Sequence, residues 1–164
     1  MSIHDPATGK TRFAIVPAAY VFLLREAYDG GASVTEVLLQ LRRGTGYMDE
    51  HWAAAAAGHV ERGETAEDAA RRECREEIAV DGLGLRFATA MQRTARDLPI
   101  DERIDFFFTA RTWAGEPRIV EPGKCADLRW FALDALPDPV VPHELVVLEG
   151  LRSGDLPALS NFGF

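Results

Sequence analysis

Residues 58–80, GHVERGETAEDAARRECREEIAV, crowd more carboxylates into one turn and helix than a free-standing helix tolerates, so the fold has to give them a partner. Thr65 followed three residues later by Asp68 is a capping box with Asp in the usual Glu or Gln place. It opens a run rich in Ala, Glu and Arg, which predicts a helix over 66–79. At about 100° per residue, Ala69, Ala70 and Cys74 share a small apolar face and Arg71, Arg72 and Arg75 turn away from it. Glu73 and Glu77 fall inside the apolar arc, one turn apart, with Glu76 beside them. Like charges at i, i+4 repel by roughly 0.2–0.5 kcal/mol per pair even when solvated, and by more when partly buried. A solvated, ion-paired helix accounts for Glu67 with Arg71, Asp68 with Arg72 and Arg72 with Glu76, but leaves Glu73 and Glu77 unexplained. A cation is the expected partner, and the segment reads as a metal site.

Composition narrows the classes. At 164 residues and 47% hydrophobic content the chain is long enough for one domain with a full core. A net charge of −8 argues against binding nucleic-acid polymers, which needs a basic face, while leaving room for a local Arg cluster on a small phosphate ligand. Cys74 and Cys125 form no CxxC pair, so neither a disulfide scaffold nor a zinc site is indicated, and a reducing, cytoplasmic setting is expected. The N-terminal MSIHDPATGKTRF has no apolar h-region and no apolar run reaches the roughly 18 residues that span a bilayer, so no membrane association is expected.

Along the chain, residues 1–10 are a polar, turn-rich lead-in. Residues 13–25, FAIVPAAYVFLLR, are too continuously apolar for a one-sided strand and predict a central one, with Pro17 marking a bulge or a late start. Asp29, Gly30 and Gly31 turn the chain into a second strand over 34–41. Arg42, Arg43 and the loop through Tyr47 and Met48 then form a candidate ligand edge, whose bland alternative is an exposed strand end. Arg43 is the preferred phosphate contact because a planar guanidinium matches phosphate oxygens in pairs. Trp52 and the alanines 53–57 fit either a short helix or a tight strand. Further strands are expected over 85–94 and 104–113, joined by the polar loop 95–102, with Phe106 to Phe108 mainly core. The segment 121–137 should carry a short strand ending near Trp130 and Phe131. Pro142 should start a last helix with Leu145, Val146, Leu148 and Leu151 on its apolar face. His59 is the one histidine near the acidic segment in sequence.

Read as G-x5-E-x7-R-E-U-x-E-E-x-G-U, with U a bulky apolar residue, residues 58–80 match at Gly58, Glu64, Arg72, Glu73, Glu76, Glu77 and Val80. The segment thereby resembles the signature of the Nudix hydrolases. Cys74 stands at the first U and Ala79 at the last Gly; a Gly there would allow φ > 0, so a different helix exit is expected, with Gly82 taking the turn. The E-P-x-K-C run at Glu121 and the Trp130-Phe131 pair are similar to the corresponding part of nucleotide-directed members, and the likeness covers most of 13–151.

The resemblance implies an α/β fold, the Nudix-type α/β/α sandwich with a mixed β-sheet, with a lead-in over 1–12, the domain over 13–152 and a tail over 153–164. It implies hydrolysis of a diphosphate linkage in a nucleoside diphosphate derivative, with Mg²⁺ or Mn²⁺ held by Glu73, Glu76, Glu77 and the Gly58 carbonyl. Hard cations prefer such oxygen ligands. Glu64 should orient the loop through Arg72, and the base should be one of the helix carboxylates or a later one, Glu121 or Glu102. The leading substrate is a nucleoside triphosphate, oxidised forms included, cleaved to monophosphate and pyrophosphate, with Arg42 and Arg43 on phosphate and Tyr47, Trp52 or Phe106 as the wall for the base. The alternatives are ADP-ribose, nucleotide-sugar or dinucleotide hydrolysis, and a catalytically silent binding module, which three clustered acids disfavour. The expected partner is a small nucleotide; a homodimer is compatible with the sequence.

Overall fold

The apolar run becomes the strand on which the rest is hung, β3 (Val16–Asp29). Ala18, Tyr20, Phe22 and Leu24 enter the core on one face and Ala19, Val21 and Leu23 on the other, as a strand buried on both sides requires. The computed structural model describes residues 2–96 and 98–164; Met1 of the lead-in and Asp97 of the loop 95–102 lie outside the described residues. The strand starts late, at Val16, with Pro17 inside it and paired to Ile104, while Phe13 closes an exposed hairpin of β1 (Ser2–His4) and β2 (Thr11–Phe13) in what reads as loose lead-in.

The first half of β3 runs parallel to β8 (Arg103–Ala110) and antiparallel to β6 (Ala56–His59). Its second half pairs antiparallel with β4 (Ala32–Arg42), which also carries β5 (Trp52–Ala54) and β9 (Cys125–Ala132). Beyond β8 lies β7 (Leu85–Arg93), antiparallel to it. The sheet is therefore mixed. The alanines 53–57 resolve as strand, β5 and β6 with Ala55 between them; Ala54 and Ala57 face the α2-side core and Ala55 and Ala56 the α1-side core.

Helix α1 (Ala66–Ile78) covers one face of the sheet through Ala69, Ala70, Cys74 and Ile78, and α2 (Pro142–Ser153) covers the other through Val147 and Leu148. This is the α/β/α sandwich. Of the expected apolar face, Leu145, Leu148 and Leu151 pack on the core; Val146 is 41% exposed and Val147 is buried in its stead, beside the buried polar His143 and Glu144 of the first turn. The C-terminal stretch, which lacks a strong strand pattern in sequence, adds β10 (Leu159–Phe162) parallel to β7 at the sheet edge. Among the described residues no helix is long and apolar enough to cross a membrane.

The end of α1 departs from the sequence expectation. Ala79 itself adopts the left-handed conformation, φ 58 and ψ 34, and the Val80 N–H reaches back to the Cys74 carbonyl. Gly82 also has positive φ but follows the cap rather than making it. A left-handed non-glycine residue costs about 1–2 kcal/mol, and Gly forfeits about 0.4–1 kcal/mol of that through the freer unfolded chain. Ala79→Gly is expected to stabilise the protein by about 0.5–1 kcal/mol, seen as a higher urea midpoint at unchanged m. A midpoint at or below that of the parent would show that the cap carries no strain.

Candidate active site

The acidic helix is aimed by its cap. Thr65 accepts from the Asp68 N–H at 3.1 Å while the Asp68 carboxylate accepts from the Thr65 N–H at 3.3 Å, as the capping pair predicts. That fixed start sends Glu73 and Glu77 toward the back of β6. The period-two register does the rest: Gly58 pairs with Ala19, whose side chain faces α1, so Gly58 presents its bare backbone to the helix. A Cβ at Gly58 would overlap the Glu73 carboxylate. The Glu77 carboxylate accepts from the Ala57 N–H at 3.0 Å.

Arg72 organises the acids. Its Nε and Nη2 grip the two Glu64 oxygens at 2.9 and 3.0 Å, Nη1 reaches Glu73 and, at 3.2 Å, Glu76, and Nη2 also donates to the His59 carbonyl at 3.0 Å. Two of the helical pairs read from spacing do not form, because Asp68 is engaged by the cap and Arg71 donates to the Leu83 carbonyl instead of pairing with Glu67. Arg72 holds Glu64 below the usual carboxylate range. Burial pushes Glu73 up against the pull of Arg72. Burial, less fully opposed by its one N–H donor, raises Glu77 to about 7.

Among the described residues no three His, Cys, Asp or Glu side chains converge into a ready-made metal cage. Glu73 and Glu76 lean on Arg72, and Glu77 leans on Ala57. The donors nonetheless suit a hard cation: they are all oxygen, two of them crowd each other on a half-buried face, and the side-chain-free cradle at Gly58 leaves its backbone against them. The segment between β8 and β9 faces the same acids. Val120 N–H donates to the Glu77 carbonyl, and the Glu121–Lys124 pair, at 3.0 Å, acts electrostatically on Glu77. Glu102 is engaged elsewhere, accepting from the Thr94 hydroxyl at 2.6 Å.

On the opposite face of β6 lies a cavity of about 380 Å³. Arg42 and Tyr47 line it, with the Arg42 guanidinium 5.5 Å over the Tyr47 ring and its Nε on the Tyr47 carbonyl. The other expected wall residues do not reach it. Trp52 is buried edge-to-face on Phe131 within the α2-side core, Phe106 points to the α1 side, and Arg43 is tied to the Pro122 carbonyl. Each is displaced by a local competitor: sheet register for Phe106, core packing for Trp52, an unpaired loop carbonyl for Arg43.

The cavity floor is polar, which the sequence reading missed. Asp105 is fully buried; its Oδ2 accepts from Arg93 Nε at 2.8 Å and its Oδ1 from Arg103 Nε at 3.4 Å. Glu144, buried at the start of α2, accepts from the Ala54 N–H, and burial raises it to about 7. His143 beside it is held neutral by burial and by the neighbouring guanidinium charges. The available signal was the two-residue period of β8: once Phe107 is core, Asp105 and Arg103 must share its face.

A model of the NUDIX domain matches residues 15–151. The NAD-capped RNA hydrolase NudC of Chromobacterium violaceum is 30% identical over 147 residues, covering 87% of this chain and 49% of the relative, so the chain spans about half the length of that curated protein. A MutT NUDIX hydrolase of Burkholderia pseudomallei superposes with a TM-score of 0.63 at 26% identity, over 80% of this chain and 96% of that one. The NUDIX domain of Shewanella oneidensis NrtR, solved with ADP ribose, gives a TM-score of 0.67 at 19% identity over 92% of each chain, a likeness of fold. With the domain match spanning most of its length and the acidic helix at its centre, the chain belongs to the NUDIX family.

Proposed function

We propose that the chain hydrolyses a diphosphate linkage in a nucleoside diphosphate derivative, with a divalent cation, Mg²⁺ or Mn²⁺, held by Glu73, Glu76, Glu77 and the Gly58 carbonyl. The observation that carries this reading is the two-sided use of one strand. Ala57, Gly58 and His59 edge the cavity on one face of β6 while the same residues touch Glu77, Glu73 and Arg72 on the other. A ligand seated in the cavity thus has its phosphate tail led to the acids.

When bound, the cation supplies charge neutralisation and Lewis acidity toward the diphosphate. The protein's part is positioning. Glu64 clamps Arg72 in two-point contact, Arg72 aligns Glu73 and Glu76 through Nη1, and the missing side chain at Gly58 lets the Glu73 carboxylate lie against the backbone. Of the two later carboxylates, Glu121, paired with Lys124 in the segment that acts on Glu77, is favoured over Glu102 as the acceptor of the attacking water's proton as the P–O bond breaks.

The leading substrate is a nucleoside triphosphate, cleaved to monophosphate and pyrophosphate. At about 380 Å³ the cavity is at the small end of the roughly 300–1,000 Å³ range of ligand sites, which suits one nucleoside. Stacking on Tyr47 would tolerate every base, so Glu144 and His143 on the floor are left to choose among them. A second reading, a nucleoside diphosphate linked to another moiety such as ADP-ribose or a dinucleotide, is favoured by what the NudC relative and the ADP-ribose-bound neighbour are named for. A panel of triphosphates, oxidised-guanine forms, ADP-ribose and dinucleotides, assayed with Mg²⁺ for kcat/KM, separates the two. A much higher value for the linked substrates overturns the triphosphate assignment. Saturating Mg²⁺ is also expected to raise Tm over a chelator control, because it shields acids that otherwise repel; equal Tm values would count against the acids as the cation's ligands.

A further inference from the structure

We infer that Arg103, held between the His59 imidazole and the Asp105 carboxylate, anchors the phosphate that leads out of the cavity toward the acidic helix. The inference rests on the nucleotide reading above and assigns its phosphate contact to a different residue from the Arg43 that sequence favours.

Three arginines line the cavity, and their commitments differ. Arg42 directs Nε to the Tyr47 carbonyl and Nη2 to the Thr45 hydroxyl, stitching its own loop. Arg93 directs Nε into Asp105 at 2.8 Å and Nη1 toward the Tyr47 hydroxyl at 3.5 Å. Arg103 holds Asp105 only at 3.4 Å and otherwise touches His59 Nε2 through Nη1 at 2.9 Å. A guanidinium has five N–H donors and no acceptor, so His59 Nε2 must be the acceptor and the imidazole proton sits on Nδ1. Three of the five Arg103 donors remain for a ligand, as on the other two arginines, but Arg103 holds its carboxylate at the longest distance and stands beside His59, on a side chain that is 14% exposed and lines the cavity.

Its place in the sheet puts those donors where a phosphate would emerge. Ala18 of β3 pairs with His59 on one side and with Asp105 on the other, so both side chains rise on the same face with only a methyl group between them. Across that gap Arg103 reaches His59, which adjoins Gly58 and whose carbonyl is gripped by Arg72. His59 is a positioning residue: its imidazole aims Arg103 on the cavity side while its backbone is fixed to the acidic loop on the other. The charges of Arg42, Arg93 and Arg103 are matched by Asp101, Asp105 and Glu144 when Glu144 is ionised, and exceed the remaining carboxylates by one when Glu144 is protonated.

The test is equilibrium binding in chelator of adenosine and guanosine 5′-monophosphates against the matching nucleosides, for the parent, Arg103→Met, His59→Ala and His59→Gln. The phosphate should improve parent affinity by about tenfold or more, as a charged hydrogen bond does. Arg103→Met should abolish that advantage and raise KM more than it lowers kcat. His59→Ala, which keeps the Arg103–Asp105 contact, should lose part of the advantage, and His59→Gln, whose amide oxygen can still accept, should recover it. An unchanged phosphate advantage in Arg103→Met, or none in the parent, overturns the inference while the panel above still decides the hydrolase reading. Equal values for His59→Ala and His59→Gln would reduce His59 to packing and overturn its positioning role.

Discussion

Glu77→Gln is expected to lower turnover by at least about 10²-fold while making the metal-free protein more resistant to alkaline destabilisation, a combination that a merely structural residue cannot give. The loss follows from the donor set: an amide keeps the acceptor for the Ala57 N–H but removes the charge offered to the cation. The gain follows from linkage. Burial raises Glu77 from the ordinary 4.5 to about 7, with Glu73 and Glu121 adding to it and the Ala57 N–H opposing. Between those values the folded state binds more protons than the unfolded one, so stability is fully present below about pH 4.5 and is lost as pH rises through 7. Gln carries no such proton. In chelator the two proteins should melt alike at pH 4.5, and the mutant should melt higher at pH 8. Glu144 is raised in the same direction in both, so its contribution cancels from the difference. Near-parent turnover with Mg²⁺ would remove Glu77 from the site, and parallel Tm curves against pH would show that its carboxylate is not buried at a cost.

The acidic side of the molecule was legible because its information is local. A capping pair, a helical period and fixed offsets bring Glu64, Arg72, Glu73 and Glu76 into contact through one turn and one helix, within reach of any reading of 58–80. The continuous apolar run likewise announces a strand buried on two faces, and β3 is that strand. The cavity side was not legible to the same degree, since its residues come from β3, β6, β7, β8 and α2 and meet only through sheet register. Proximity in sequence misled there: Trp52 and Arg43 flank the motif yet serve the core and the 121–124 segment. Arg103 and Asp105, more than 40 residues from His59, are brought beside it because Val16 and Ala18 of β3 pair with them while Ala18 also pairs with His59. Ala79 failed as a signal for another reason. The Schellman-type contact of Val80 on Cys74 holds the cap conformation that alanine alone would avoid.

Asp105→Ala is expected to have the largest effect on stability, about 3–5 kcal/mol of destabilisation, the usual cost of removing one partner from a buried ion pair. Asp105 is 0% exposed and is the acceptor for Arg93, whose side chain is 7% exposed, and the weaker acceptor for Arg103. Its removal leaves one guanidinium almost wholly buried without its hydrogen-bonded counter-charge and loosens a second. His143, whose Nε2 lies 3.9 Å from Asp105 Oδ2 and has no hydrogen-bond partner among the described residues, has its basicity suppressed by burial. It cannot neutralise a positive charge. The penalty should therefore be relieved by removing the stranded cation as well: Asp105→Leu with Arg93→Met should be more stable than Asp105→Leu alone, although both carry two or fewer of the original polar groups. Urea denaturation of the parent, the two single variants and the double variant gives the coupling directly. A cost below about 1 kcal/mol for Asp105→Ala, or a double variant no more stable than the Asp105 single, would mean that water from the cavity solvates both arginines and that the pair is not the keystone of the cavity floor.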